Sequence, residues 1–265
     1  MEKLTVLIST KDERRNIRSC IDSVQDLADE VLVADSGSTD GTIEIVQSIG
    51  GCRMIEREYV RAGDFKNWAI PQARHPWVLL LDADERVTPQ LRDEIRNVLA
   101  RDAGPDGYWI RRANYFMGYR VRYGPWGTDA VFRLFRRHLA RYAGDTDHAE
   151  IDTTHLCTGR LTNRLTHFAC WSYDDFLPKQ DNYSAVQASL WRKAGRQPSY
   201  LRLYLTAFLR FTHIFVVRGG FLDGAVGFQV ASLIAYSSFQ KQARLWQLVH
   251  GHRQPDPEQH QKKAA

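Results

Sequence analysis

Much that would simplify a reading is scarce in this chain. Its 265 residues hold only four cysteines, Cys20, Cys52, Cys157 and Cys170. They form no CxxC pair and lie too far apart for a zinc site, so buried free thiols in a reducing cytosol are expected. No signal peptide is expected either, because Met1-Glu2-Lys3-Leu4 runs straight into a strand pattern. Internal repeats and low-complexity blocks are absent. The apolar stretch from Tyr200 to Phe239 contains no clean run of about twenty apolar residues, the length a membrane-spanning helix needs. Arg202, Arg210, Arg218 and Asp223 interrupt it, and Gly219-Gly220 and Gly224 break it. Glycine is also missing from Thr10 to Asn16, which counts against the Gly-rich triphosphate loop of a sugar nucleotidyltransferase. No recognised nucleic-acid-binding motif appears.

What is present suits a globular protein. With 43% hydrophobic and 25% charged residues, the chain can bury the core of one large domain, or of a domain plus an appendage. A formal net charge of +5 favours an anionic partner: a nucleotide, a nucleic acid or an acidic lipid. The polar tail from His252 to Ala265, with Pro255 and Pro257, is expected to be disordered.

The organising stretch is Trp77-Val78-Leu79-Leu80-Leu81-Asp82-Ala83-Asp84-Glu85. A short apolar run of this kind fits a strand buried on both faces, with its acids at the C-terminal end. Ligands bind at that edge of open α/β sheets. Two aspartates one residue apart suit a hard divalent cation, although Asp-x-Asp alone is common. Thr88-Pro89 then reads as an N-cap and first-turn proline.

Two more strands precede it. Leu4 to Ser9 forms the first, and Ile17, Cys20, Ile21, Val24 and Leu27 follow at helical spacing. Glu30 to Asp35 forms the second and ends in an acid. Ser36 to Thr42, rich in Gly and Ser, then leads into a second helix. A third strand near Arg53 to Arg57 and a helix over Asp64 to Ala73 complete a βα alternation, which argues a parallel sheet. Thr10, Asp35 and Asp82 therefore meet on one sheet edge.

The stretches Thr5 to Glu13, Val33 to Thr42 and Leu80 to Glu85 resemble, in order and spacing, the successive signatures of family 2 glycosyltransferases. The likeness covers roughly the first third of the chain. It implies a GT-A fold: a mostly parallel, Rossmann-like sheet flanked by helices. It also implies a nucleotide-sugar donor, a divalent metal (Mn or Mg) and inversion at the anomeric carbon. By that resemblance Thr10, Glu13, Asp35 and the adjoining Ser36 surround the nucleoside. Asp82 faces the ribose or donor sugar, Asp84 holds the metal on the diphosphate, and Glu85 serves the helix start.

The nucleotide half is expected over 1–105 and the acceptor half over 106–190. Asp106 to Arg112, Ala130 to Arg137 and Arg160 to Phe168 read as strands. Tyr115 to Gly127 interleaves aromatics with arginines and is expected to face the acceptor. Such a stretch on a basic chain also suits a nucleic-acid-binding module, the alternative kept beside a nucleotidyltransferase; no nucleic acid is the expectation. The resemblance implies a general base from a His-Glu pair; in Asp145-Thr146-Asp147-His148-Ala149-Glu150 an Ala separates the two, which leaves the base open, with Glu150 ranked first and Asp147 second. His167 is a candidate to complete the metal site. A helix begins near Phe176 and runs to about Ala194; its Lys179, or Tyr183, would approach the diphosphate.

Over 191–250 two amphipathic helices are expected to lie on the cytoplasmic face of the plasma (inner) membrane. Arg192, Lys193, Arg196, Arg202, Arg210 and Arg218 would meet anionic headgroups. The run Gly219 to Gly224 resembles relatives that build lipopolysaccharide core and other lipid-linked glycans, which implies an acceptor of that class.

Overall fold

The computed structural model describes residues 2–58, 61–101, 103–143 and 150–251. Asp147, with Asp145 and His148, falls outside the described residues, as does the tail from residue 252. The chain divides into two compact units, Met1–Trp171 and Ser172–Ala265.

The first unit opens with β1 (Leu4–Thr10), α1 (Ile17–Asp22), β2 (Glu30–Asp35), α2 (Thr42–Ile49), β3 (Cys52–Glu56), α3 (Ala62–Ala69) and β4 (Trp77–Asp82). These four strands pair in parallel, as the alternation predicts. The apolar runs of β1, β2 and β4 are buried because both sheet faces are covered. Helix α1 stops sooner than its apolar spacing suggests. Ser23 turns its hydroxyl to the Cys20 carbonyl and receives the Val87 amide, and Val24 and Leu27 reach the core from the turns that follow.

The unit continues with β5 (Glu85–Val87), α4 (Pro89–Leu99), β6 (Gly107–Phe116), β7 (Tyr119–Arg120), α5 (Gly124–Gly127), β8 (Ala130–Arg136), β9 (Tyr142–Ala143), β10 (Glu150–Ile151) and β11 (Thr158–Cys170). The main sheet runs β3-β2-β1-β4-β8-β6-β11-β5, with β7 paired to β6. Strand β8 is antiparallel to both neighbours, β11 is parallel to β6, and β5 closes antiparallel on β11. One consequence decides where the site lies. Ala83 and Asp84 alone separate β4 from β5 in sequence, yet β8, β6 and β11 separate them in the sheet. The sheet must therefore curl until β5 returns beside the end of β4, and Asp84 sits at that seam.

One core lies under α1, α2 and α4, with Ile17, Ile21, Val46, Leu91 and Ile95 against the strands. The other lies under α3, with Phe65, Ala69 and Ile70. As expected, Thr88 caps α4, accepting from the Leu91 amide at 3.2 Å, with Pro89 behind it.

The second unit comprises α6 (Tyr173–Lys193), α7 (Tyr200–Thr212), a π-helical turn His213–Val217, a 3-10 turn Gly220–Asp223 and α8 (Gly224–His250). Ser172 and Ser199 cap α6 and α7. Gly227 is required where α8 meets the 3-10 turn: a Cβ there would stand 1.8 Å from the Gly220 carbonyl oxygen. That approach lets Phe211, Phe215, Phe221 and Phe228 cluster edge to face.

One expectation is corrected here. Tyr200–Val217 is a continuous helical stretch of 18 residues, long and apolar enough by length and composition to cross a membrane. Arg202 and Arg210 lie within this stretch, and Arg218, Gly219-Gly220, Asp223 and Gly224 follow it.

Candidate active site

The C-terminal ends of β1, β2 and β4 meet in register: Thr10 stands beside Asp35, and Ser9 beside Asp82. The shared edge is thus as predicted. Two loops leave it interlocked. The Asp12 amide donates to Ser38 Oγ at 2.8 Å, and the Thr39 amide donates to Asp12 Oδ1 at 2.8 Å. The amides of Glu13 and Arg14 donate to Thr42 Oγ1 and Asp40 Oδ2. This lacing holds Asp12 at a φ of 52°, in the left-handed region.

Asp35 is fully buried and organises the second loop. Its Oδ1 accepts the Gly37 and Ser38 amides at 2.8 Å each, and its Oδ2 accepts the Ser38 hydroxyl. Ser36 donates its amide and hydroxyl to the Thr10 carbonyl. The Thr10 hydroxyl is buried and has no hydrogen-bond partner among the described residues. Glu13 Oε2 accepts from the Asn16 side-chain Nδ2 at 2.7 Å.

Asp82 accepts from Ser9 Oγ at 2.8 Å and from Lys66 Nζ of α3 at 2.8 Å, and it pairs with Arg133 of β8. Burial alone would raise its pKa; the two cations outweigh that and hold its carboxyl well below the usual range. Glu85 corrects an expectation. It does not serve the helix start, which belongs to Thr88. It lies on β5, fully buried, where its Oε2 accepts the Asp82 amide at 3.0 Å and its Oε1 meets Arg133 and Arg112. An uncompensated carboxylate at 0% exposure would be too costly to keep.

Across the seam, Asp84 Oδ2 and His167 Nε2 lie 3.5 Å apart. His167 comes from β11, in register with both Glu85 and Asn114. Asn114 settles which ring nitrogen carries the proton. Its Nδ2 donates to the Trp126 carbonyl at 2.6 Å and to Asp129 at 3.2 Å. Its Oδ1 is therefore the atom facing His167 Nδ1, so Nδ1 donates. In the neutral ring, Nε2 then presents its lone pair on the side of Asp84. Burial pulls the His167 pKa down, but the bond and charge of Asp84 outweigh it and raise the pKa above 6.5. One carboxylate oxygen and one oriented imidazole nitrogen at this spacing fit a divalent ion. Among the described residues no group of three or more His, Cys, Asp and Glu side chains gathers there.

The remaining predicted residues lie on other elements. Glu150 is exposed on the β9–β10 ribbon, opposite Ala143. That ribbon is fastened to α3, where Asn67 exchanges hydrogen bonds with the backbone of Tyr142. Lys179 lies in α6, in the second unit. Lys66, Arg133, Arg112 and Asn114 were not singled out from the sequence. The one signal for Arg133 was a charge within an otherwise apolar alternating strand.

Residues 5–162 match the family model described as Glycosyl transferase family 2. The chain belongs to this family. A lipopolysaccharide core biosynthesis glycosyltransferase, LpsC of Rhizobium meliloti, is 28% identical over 249 residues, 92% of each chain. An uncharacterized glycosyltransferase of Rickettsia bellii is 27% identical over 260 residues, 93% of this chain and 87% of that one. Among solved structures, the mannosyltransferase PcManGT from Pyrobaculum calidifontis, in complex with GDP-Man and Mn2+, aligns with a TM-score of 0.56 at 16% identity. The alignment spans 92% of this chain and 87% of that one. Glucosyl-3-phosphoglycerate synthase from Mycobacterium tuberculosis, with Mn2+ and UDP, aligns at 0.50 with 19% identity over 75% and 82% of the two chains. The family 2 chain thus has the GT-A fold.

Proposed function

We propose that this family 2 glycosyltransferase moves a sugar from a nucleotide-linked donor, uridine-linked in our reading, to a lipid-linked glycan of the lipopolysaccharide core type, inverting the anomeric centre. It would work peripherally at the cytoplasmic face of the plasma membrane. The observation that carries the donor reading is the Asp84–His167 pair at the strand-end seam, 3.5 Å apart, with Asn114 orienting the ring. It lies beside a loop pair whose buried Thr10 hydroxyl lacks a partner. An unmet hydroxyl costs about 1–3 kcal/mol, which a bound nucleoside would relieve. Neighbours of this fold hold Mn2+ with UDP or GDP-Man, and LpsC supports the acceptor class.

In this reading Thr10, Glu13, Asp35 and Ser36 frame the nucleoside, and Lys179 approaches the diphosphate. Lys66 and Arg133 keep Asp82 ionised, so it accepts hydrogen bonds from hydroxyls of the ribose or donor sugar. Asp84 and His167 would hold manganese or magnesium. When bound, such an ion neutralises charge on the departing diphosphate. Glu150, or Asp147, takes the proton of the acceptor hydroxyl. The acceptor oxygen attacks from the face opposite the nucleoside diphosphate, and the electron pair of the broken C–O bond leaves with the diphosphate. This is the geometry of single displacement.

Calorimetric titration with UDP, GDP and CDP, each with and without Mn2+, tests the donor class. Manganese-dependent binding of UDP is expected, and Asp84→Asn should remove that dependence while leaving Tm near wild type. Manganese-dependent binding that survives in Asp84→Asn would overturn the metal assignment. Silence from all three nucleotides would overturn the donor reading.

A further inference from the structure

Three arginines converge on the acceptor half of the sheet. Arg111 of β6 and Arg164 of β11 stand opposite each other in parallel register. Arg120 of β7 stands opposite Tyr115 of β6. Residues four apart on a strand share a face, and so do cross-strand partners, so Arg111, Tyr115, Arg120 and Arg164 share one face. Among the described residues, neither Arg111 nor Arg120 forms an ion pair with a carboxylate. The acids of this region, Glu85 and Asp129, are engaged by Arg112 and Arg133 instead. Arg164 reaches the Gly127 carbonyl at 3.5 Å. Burial, then the charges of Arg120 and Arg111, hold its pKa below the ordinary arginine value. Gathering like charges around a partly desolvated one is unfavourable unless an anion joins them.

A row of rings leads away from the cluster on the same face. Tyr115 lies 5.5 Å from Phe168, and Phe168 stacks on Trp171 at 4.9 Å. Trp171 and Tyr119 are exposed, and Arg15 lies over the Trp171 ring at 5.6 Å. Phe168 follows His167 on β11, so the row runs toward the same strand end as the Asp84–His167 pair, with His167 itself on the opposite face of the sheet.

We propose that Arg111, Arg120 and Arg164 form an oxyanion site for a phosphate or carboxylate carried on the acceptor glycan, whose sugar rings pack beside Tyr115 and Tyr119, since the Phe168 ring is already covered by Trp171 and Arg86. Guanidinium forks match such oxyanions in a bidentate manner, and flat rings suit the apolar faces of sugars. The inference rests on the glycosyltransferase reading and narrows its acceptor to an anionic one.

The test uses the full chain, with glucose 6-phosphate as probe, glucose as neutral control, and UDP with Mn2+ titrated in parallel. Glucose 6-phosphate should bind the wild type more tightly than glucose does. Arg111→Gln/Arg120→Gln should weaken it by at least about tenfold and leave UDP binding unchanged. Arg18→Gln/Arg101→Gln removes the same charge elsewhere and should bind the probe as wild type does. Equal binding of glucose and its phosphate, or an Arg111→Gln/Arg120→Gln variant that binds like wild type, overturns the oxyanion site while the donor reading stands on UDP. Arginine-dependent probe binding without UDP binding upholds the site and sinks the donor reading. Vesicles of phosphatidylglycerol and phosphatidylcholine separate the sources. If the arginines govern vesicle binding while the wild type ignores glucose 6-phosphate, the oxyanion is a lipid headgroup and the acceptor proposal fails.

Discussion

Asn114 is shut off from solvent, yet it decides what His167 offers. Asn114→Leu keeps the volume and removes the acceptor for Nδ1–H, so the ring can rotate or exchange tautomers. Mn2+ affinity should fall by about 10–100-fold, the usual effect of losing a partner behind a metal-binding histidine. A purely structural loss would lower Tm without changing the ring, so the tautomer is read separately from imidazole nitrogen shifts. His167 also makes a pH prediction in metal-free protein. Its folded pKa is raised because Asp84 outweighs burial, so its contribution to stability is complete below about 6.5, the unfolded value. That contribution is lost as pH rises through the raised folded value. Tm of the metal-free protein should decline across that window, and Asp84→Asn should flatten the decline. An unchanged slope in Asp84→Asn would mean that Asp84 does not set the histidine's pKa.

Among elements, β8 does most to build the site; its span was legible in the sequence, but its place in the sheet was not. The βα alternation through β4 is local: apolar runs and helical spacing announce each piece, and parallel pairing carries Thr10, Asp35 and Asp82 to one edge. The insertion of β8 between β4 and β6, and the return of β5 to β11, are choices between strands far apart in sequence, and no local pattern encodes them. Arg133 therefore went unremarked in an alternating strand, while the fold buries it between Asp82 and Glu85. Glu85 was misread for the same reason, since its partners come from β6 and β8. Arg133→Met should cost about 3 kcal/mol, because it leaves the fully buried Glu85 carboxylate with the longer Arg112 contact as its one charged partner among the described ion pairs; denaturant unfolding measures it. Acid should find the same weak point. Asp82 has a depressed folded pKa, so its contribution is full above the unfolded value and fades as pH falls below about 4 toward the folded value. Stability that stays flat between pH 4 and pH 2 would contradict this.

At the scale of the whole molecule, a net charge of +5 and the helix α7 point to the same partner. Tyr200, Leu201, Tyr204, Leu205, Phe208 and Leu209 are all exposed, more contiguous apolar surface than a monomer in water normally leaves open. Arg202 and Arg210 are exposed on the same helix, as snorkelling residues at a headgroup boundary would be. Sedimentation with vesicles of phosphatidylglycerol and phosphatidylcholine should capture the protein, more weakly as salt rises. Leu205→Glu/Phe208→Glu removes the burial of two large side chains, worth about 3 kcal/mol, and should lower partitioning on the order of a hundredfold. Arg202→Gln/Arg210→Gln should instead lessen the salt dependence. Alkaline carbonate then separates the two geometries that this helix permits. A helix lying in the interface is released, because nothing but its apolar face holds it, whereas Tyr200–Val217 threaded through the bilayer stays with the lipid. Release is the expected result. Retention would make the peripheral reading wrong, and would carry Arg202 and Arg210 into a span where each must snorkel outward or find a partner.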